Sequence, residues 1–311
     1  MPTAFVSANG LQIGYDVHGA GPPMVLLHGA GSAGREDYAA QVPLFAKAFR
    51  VHLPDARGHA TSRWDSADGV TADDLVADLL GFVDALQLRS FHLVGFSLGA
   101  TTALRFAVRY PERLRTLVSI GIVPDLEPRR SVARRLLDPE RIEREDTRWA
   151  AELHRRHDAT QGPGAWQRLL AAIIDDVATA PLLTPGDLRR IELPAMVVVG
   201  DRDPFTPVGQ AWELARQLPD ARLFVAPGCG HDVMVRRPAL FNEAMGAFYR
   251  STEAKATERA IAAGSLAHPS AARRGTDGEW LAHAADHGPA HAHNGGPNTG
   301  PKAHPTKEAD A

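Results

Sequence analysis

The chain reads as an α/β protein: a mostly parallel central sheet of about eight strands flanked by helices, with a helical cap inserted between two strands. Three observations predict this. Short apolar runs alternate with amphipathic helical stretches through the first 250 residues. A Gly-x-Ser-x-Gly sequence, Gly95-Phe96-Ser97-Leu98-Gly99, stands at one strand-to-helix junction. The alternation breaks once, between about Pro124 and Arg190, where only helical periodicity remains.

Taken in order, Phe5–Val6 and Leu11–Val17 flank Asn9-Gly10, a two-residue hairpin signal. Met24–His28 and Val51–Leu53 are short apolar runs, the first ending in glycines and the second at Asp55. Thr71 opens a helix with Asp74 three residues on, and Leu75, Leu79, Phe82, Val83 and Leu86 follow at helical spacing. Phe91–Val94 is a buried-type strand, and a helix from Leu98 to Tyr110 is stopped by Pro111. Leu117–Ile120, Met196–Val199 and Leu223–Val225 are further buried-type strands. Thr206-Pro207 predicts an N-cap followed by a first-turn proline, in a helix reaching about Gln217. The last helix is expected over Pro238–Arg250.

The break in the alternation carries nine arginines and nine acidic residues between Asp125 and Asp158. Trp166, Leu169, Leu170, Ile173, Ile174 and Val177 then repeat at helical spacing, and Thr184-Pro185-Gly186-Asp187 starts a short helix. The expected organisation is a core over residues 1–123, a helical cap over 124–190, the rest of the core over 191–250 and a tail over 251–311. The tail has one aromatic residue, Trp280, and six of the 14 histidines, so it is expected to be disordered apart from a short helix near Thr252–Ala263.

Composition excludes several classes. Lys+Arg 34 against Asp+Glu 37 offers no excess positive charge for phosphate backbones, so no nucleic-acid partner is expected. Cys229 is the single cysteine, which forbids an internal disulfide and argues against cysteine-held zinc. No apolar run is long enough to span a bilayer, and no basic-then-apolar leader precedes the first strand. No membrane partner and a cytoplasmic location are therefore expected, while the oligomeric state stays open.

The Gly-x-Ser-x-Gly junction has a specific physical meaning. It holds a serine on a sharp strand-to-helix turn, where glycines let the two elements approach and the helix N-terminus lends positive character. Four further segments extend the pattern: His28-Gly29-Ala30-Gly31, Asp55-Ala56-Arg57-Gly58-His59-Ala60-Thr61-Ser62, Gly200-Asp201-Arg202-Asp203-Pro204 and Gly228-Cys229-Gly230-His231-Asp232. In this order they resemble the α/β-hydrolase fold, in its esterase/lipase-like bacterial branch with a helical lid. The resemblance runs from about Phe5 to Tyr249, with Ala60 standing where the family's second loop has a glycine.

The resemblance implies a catalytic triad of Ser97, His231 and Asp203, with His231 as general base and then acid. Asp203 matches the family's acid position. Asp201, which directly follows the strand and suits a turn-capping role, and Asp125, after the preceding strand, remain alternatives. The oxyanion hole implied is the backbone N–H of Ala30 and of Leu98, with no cofactor and no metal. His28, Asp55 and Arg57 are expected to hold loops, with Asp55 and Arg57 in a charge-assisted contact. Cys229 is expected to pack as a small apolar group. His154 and His157 have a metal-compatible spacing, but lack the glutamate of a H-E-x-x-H site.

Expected partners are water and a small to medium, mainly apolar ester or lactone. Perhydrolysis, acyl transfer and carbon–carbon bond hydrolysis would use the same triad. The last is disfavoured because Asp232 follows the histidine where such relatives typically carry tryptophan. A non-catalytic ligand receptor is the alternative of another class.

Overall fold

In the computed structural model, residues 3–65, 68–121 and 134–262 are described. Eight strands form one sheet: β1 (Ala4–Ala8), β2 (Leu11–His18), β3 (Pro23–Leu27), β4 (Arg50–Pro54), β5 (Phe91–Phe96), β6 (Leu114–Ile120), β7 (Ala195–Gly200) and β8 (Ala221–Ala226). Their spatial order is β1-β2-β4-β3-β5-β6-β7-β8. Strands β3 to β8 run parallel, while β1 and β2 are antiparallel additions at one edge. The first two strands pair Ala8 with Leu11 across Asn9-Gly10, both of which have positive φ. That is the backbone shape the Asn-Gly pair favours in a two-residue hairpin.

The parallel strands are buried on both faces, so they read as continuous apolar runs. Helices Ala72–Ala85 and Leu98–Arg109 supply Val76, Leu79, Phe82, Ala103, Leu104 and Ala107 to the main core against Val25, Leu93 and Leu117. The Thr71–Asp74 capping box opens the first of these helices as its sequence predicts. Between β6 and β7 lie helices Pro139–Glu145, Thr147–Leu153 and Ala165–Thr179, with a π-helical turn at His154–Asp158. Ile142, Leu153, Trp166, Leu169, Leu170 and Ile173 form a second apolar cluster there, packed on Leu75 and Leu98.

Chain order in the sheet positions the site. From β3 the chain steps to β4 on one side, then crosses back to β5 on the other, with Leu27 in register with Gly95. Ligand sites in open parallel sheets form beyond the carboxyl ends of strands where the order reverses this way. The loops beginning at His28 and Ser97 both leave from that point.

Three expectations are corrected. The last helix does not stop at Arg250: it runs from Pro238 to Ala262, so the composition shift at Ser251 falls inside it. Thr252 is buried, its hydroxyl donating to the Tyr249 carbonyl. Residues 263–311 lie outside the described residues, as does Asp125. Thr206 does not cap the following helix, which starts at Val208 with Pro207 at its cap. The Thr206 hydroxyl donates to the Gly121 carbonyl instead. Arg57 and Asp55 do not pair with each other. Arg57 donates through Nε and Nη2 to Asp78, while Asp55 accepts from Arg35 and Thr61. Their sequence proximity hid that Arg57 points toward the helix of Asp78.

Among the described residues no helix is long and apolar enough to cross a membrane.

Candidate active site

Ser97 stands between β5 and helix Leu98–Arg109 with φ 51° and ψ −111°, a conformation costly for any residue with a side chain. The surroundings over-determine it. The Ser97 N–H donates to the Ile120 carbonyl at 2.9 Å, and its carbonyl accepts from Ala100 and Thr101. The two motif glycines are required by proximity. A Cβ on Gly95 would lie 2.2 Å from the Gly99 carbonyl oxygen, and one on Gly99 would lie 2.4 Å from that of Leu27. Strand and helix thus meet backbone to backbone, leaving the serine side chain at the tip.

Three side chains from loops beyond β5, β7 and β8 then join. Ser97 Oγ lies 2.9 Å from His231 Nε2, and His231 Nδ1 lies 2.9 and 3.1 Å from the two oxygens of Asp203. A carboxylate only accepts, so the ring donates Nδ1–H to Asp203. Its Nε2 lone pair is then left to face the serine hydroxyl proton. The Asp203 side chain is fully buried, and its Oδ1 also accepts the N–H groups of Phe205 and Thr206. The ring of His231 is held between Phe96 and Phe205, with centroid distances of 4.9 and 4.4 Å. Beneath it lies Gly121, whose position leaves no room for a side chain.

Asp201 does different work. Its Oδ1 accepts the Cys229 N–H at 3.0 Å, and N–H groups of Gly228 and Cys229 hold its carboxyl below the usual range. It ties β7 to the loop that carries His231, the turn-capping role its position suggested. Cys229 is buried, and burial raises its thiol pKa.

The loop after β3 forms the facing wall. The Gly29 N–H donates to Asp37 Oδ2 at 2.9 Å, the Gly31 N–H to His59 Nε2 at 3.1 Å, and the Ser32 N–H to the Gly29 carbonyl at 3.2 Å. Among the described residues, neither the Ala30 N–H nor the Leu98 N–H has a protein acceptor. These are the two donors the sequence reading assigns to an oxyanion. Burial raises the Asp37 pKa, against the pull of its bonds to Ser32 and Gly29.

Ser97, His231, Gly29 and Ala30 line one cleft of about 430 Å³. Phe96, Leu137, Trp149, Phe205 and Val235 give it apolar surface, but Glu36, Glu152, Arg156 and Asp232 line it too. The apolar surface expected of the pocket is present, with these charged groups set into its wall. Burial pushes the Glu36 carboxyl up, yet its bond to the Arg156 guanidinium outweighs that and holds it low. Leu137, Trp149, Glu152 and Arg156 come from the segment between β6 and β7, and periodicity alone could not single them out. His154 and His157 share no common ligand geometry: His154 faces Asp158 and Glu143, whereas His157 turns to the backbone of the two loops below.

A profile of the Alpha/beta hydrolase family matches residues 24–244, and the chain belongs to this family. It is 29% identical over 274 residues to 2-hydroxymuconate semialdehyde hydrolase of Pseudomonas sp. (strain CF600), covering 81% of this chain and 95% of that protein. Serine hydrolase BPHL of Homo sapiens is 28% identical over 251 residues, covering 78% of this chain and 84% of that one. The crystal structure of the enol-lactonase from Burkholderia xenovorans LB400 shares the fold, with a TM-score of 0.65 at 24% identity over 79% of this chain and 100% of that one. The named relatives are hydrolases, and this chain is accordingly an enzyme of the hydrolase class.

Proposed function

We propose that the chain cleaves a carboxylic ester or lactone through an acyl-serine intermediate on Ser97. The observation that carries this is the unbroken hydrogen-bonded series Ser97–His231–Asp203 beside two unpaired backbone donors. A serine hydroxyl is a poor nucleophile until a base takes its proton. His231 Nε2 takes it as Oγ attacks the substrate carbonyl, and Asp203 stabilises the imidazolium that forms. The carbonyl oxygen becomes an anion between the Ala30 and Leu98 N–H groups, each worth about 100- to 1000-fold in rate for such donors. His231 then returns the proton to the leaving alkoxide. Water, activated by the same ring, releases the acid in a second, mirror-image step.

The segment over 124–190, helical in its described part from residue 134, acts as the cap, with Trp149 and Leu137 adding apolar wall to the cleft that holds Ser97. An acyl group of small to medium size suits a cleft of about 430 Å³. The charged residues on the same wall favour a substrate with some polar character, as a lactone has. Asp232 beside the base disfavours carbon–carbon bond hydrolysis on this reading.

The test is direct. A fluorophosphonate should label the wild-type chain and not Ser97→Ala, and a p-nitrophenyl ester should give a burst followed by turnover that Ser97→Ala lacks. Labelling without turnover of any ester or lactone would instead favour a ligand-binding protein. Absence of labelling would remove the acyl-serine reading altogether.

A further inference from the structure

We propose that Arg156 and His157 are positioning residues for the Ala30 N–H. From the π-helical turn of the inserted segment they grip the Gly29–Ser32 turn and hold its donor in place. This rests on the reading of Ala30 as an oxyanion donor.

The Gly29–Ser32 turn is closed by the Ser32 N–H on the Gly29 carbonyl, and Gly31 at its third position has φ +70°. That combination, with Ala30 outside the positive-φ region, is a type II turn. Gly31's carbonyl accepts two donors from consecutive residues, His157 Nε2 at 3.1 Å and Arg156 Nη1. Both come from more than 120 positions downstream, |i−j| being 126 and 125. A π turn rotates less per residue than an α turn, so neighbouring side chains diverge less and can reach one acceptor. Among the described residues, His154–Asp158 is the one π-helical stretch.

The grip is itself held. Arg156 is almost fully buried and also bonds Glu36 through Nε and Nη2. His157 Nδ1 accepts the Ala60 N–H at 3.0 Å, which leaves its hydrogen on Nε2, the atom facing Gly31. Burial pulls the ring to about 4, so this neutral tautomer persists at neutral pH.

The coupling to Ala30 passes through two rigid peptide planes and one hydrogen bond. Gly31 C=O and Ser32 N–H share a plane, and Gly29 C=O and Ala30 N–H share another. Releasing the Gly31 carbonyl lets the first plane rotate, which draws the Ser32 N–H off the Gly29 carbonyl. The second plane then loses one of its two anchors, the other being His28 Nδ1 at 2.8 Å. A misaligned donor loses most of its benefit to an oxyanion without blocking substrate entry.

The experiment uses the full chain with Arg156→Met, Arg156→Lys and His157→Gln. Kinetics are followed on a p-nitrophenyl ester and its thiono counterpart, whose developing charge sits on sulfur. Arg156→Met should lower kcat for the oxo-ester about 10- to 100-fold with KM within about threefold. It should also reduce the preference for oxo over thiono substrate by at least about fivefold, because that preference reads donor placement. Arg156→Lys and His157→Gln, which keep a donor for Gly31, should recover most of both. An unchanged oxo/thiono ratio in Arg156→Met overturns the proposal. So does a loss in which kcat and melting temperature fall together while the ratio holds. If Arg156→Met does not fold, His157→Leu, which removes the other donor to the Gly31 carbonyl, takes its place: a reduced oxo/thiono preference in it supports the proposal and an unchanged one overturns it. The acyl-serine reading fails separately, by wild-type chain that no fluorophosphonate labels.

Discussion

His231 and the trio His28, His59 and His157 are the same side chain in opposite circumstances. The ring of His231 bonds only side chains, a hydroxyl and a carboxylate, and keeps some exposure to the cleft. Each ring of the trio instead accepts one backbone N–H and donates to one backbone carbonyl, away from solvent. The trio packs ring to ring, 4.8 Å from His28 to His59 and 5.6 Å from His59 to His157. Backbone partners cannot take or give up a proton, so they lock a tautomer. A serine hydroxyl and a buried carboxylate can exchange and stabilise charge. The partner set, more than the imidazole, separates the proton carrier we propose at His231 from a structural pin.

The comparison breaks first at His231. Asp203→Asn should cost roughly 1000- to 10,000-fold in kcat/KM, since an amide favours the wrong ring tautomer. Asp201→Asn keeps an acceptor for the Cys229 N–H and should cost about tenfold or less, within the range of a neutralised charge-assisted bond. Initial rates on one ester settle both, and the reverse ranking would reassign the acid.

Gly121→Ala comes next. Its new Cβ would lie 2.9 Å from both Cε1 and Nδ1 of His231, at a backbone φ of +66°. The ring must shift, and a misplacement of that size costs about 100-fold in kcat. Circular dichroism should show a folded chain, which separates the effect from unfolding.

The structural imidazoles give a smaller effect, read as stability. Burial pulls the rings of His52, His92 and His157 down to about 4. In the unfolded chain they titrate near the ordinary value of about 6.5. Between these values the unfolded chain binds more protons than the folded one, so stability falls as pH drops from about 6.5 toward 4. Above that window all three are neutral in both states and the dependence vanishes. Thermal melts across pH 4.5 to 7.5 should show this slope.

The smallest expected change sharpens the contrast. Neither ring nitrogen of buried His52 has a hydrogen-bond partner among the described residues, and its neighbours are Tyr15 and Phe82. His52→Leu should stabilise the chain by about 1 kcal/mol at neutral pH and flatten the acid slope. Denaturant midpoints at pH 7 and pH 5 would test it. A destabilised variant would show that His52 holds a partner after all.

Much of this was legible along the chain. The Asn9-Gly10 hairpin, the Thr71–Asp74 box and the Gly-x-Ser-x-Gly junction are local: each asks a few adjacent residues to satisfy one backbone geometry. Element ends were less legible. Thr206-Pro207 carries a capping pattern, but the Thr206 hydroxyl is buried against Gly121, where a tertiary acceptor outcompetes a local one. Arg57 looked like the partner of Asp55 until the helix packing brought Asp78 closer. The helix through Ser251 continues past a compositional break because intrahelical bonds extend one residue at a time and do not register average composition.

From the sequence alone came the layered α/β architecture and the segments that meet around Ser97. Apolar periodicity and turn residues act over neighbouring positions and survive in any tertiary context. Only the folded chain decided which carboxylate faces His231, which walls carry charge, and that Arg156 and His157 close on Gly31. Those choices depend on where the sheet and the inserted helices bring distant residues together in a space that excludes water. No local pattern encodes that distance.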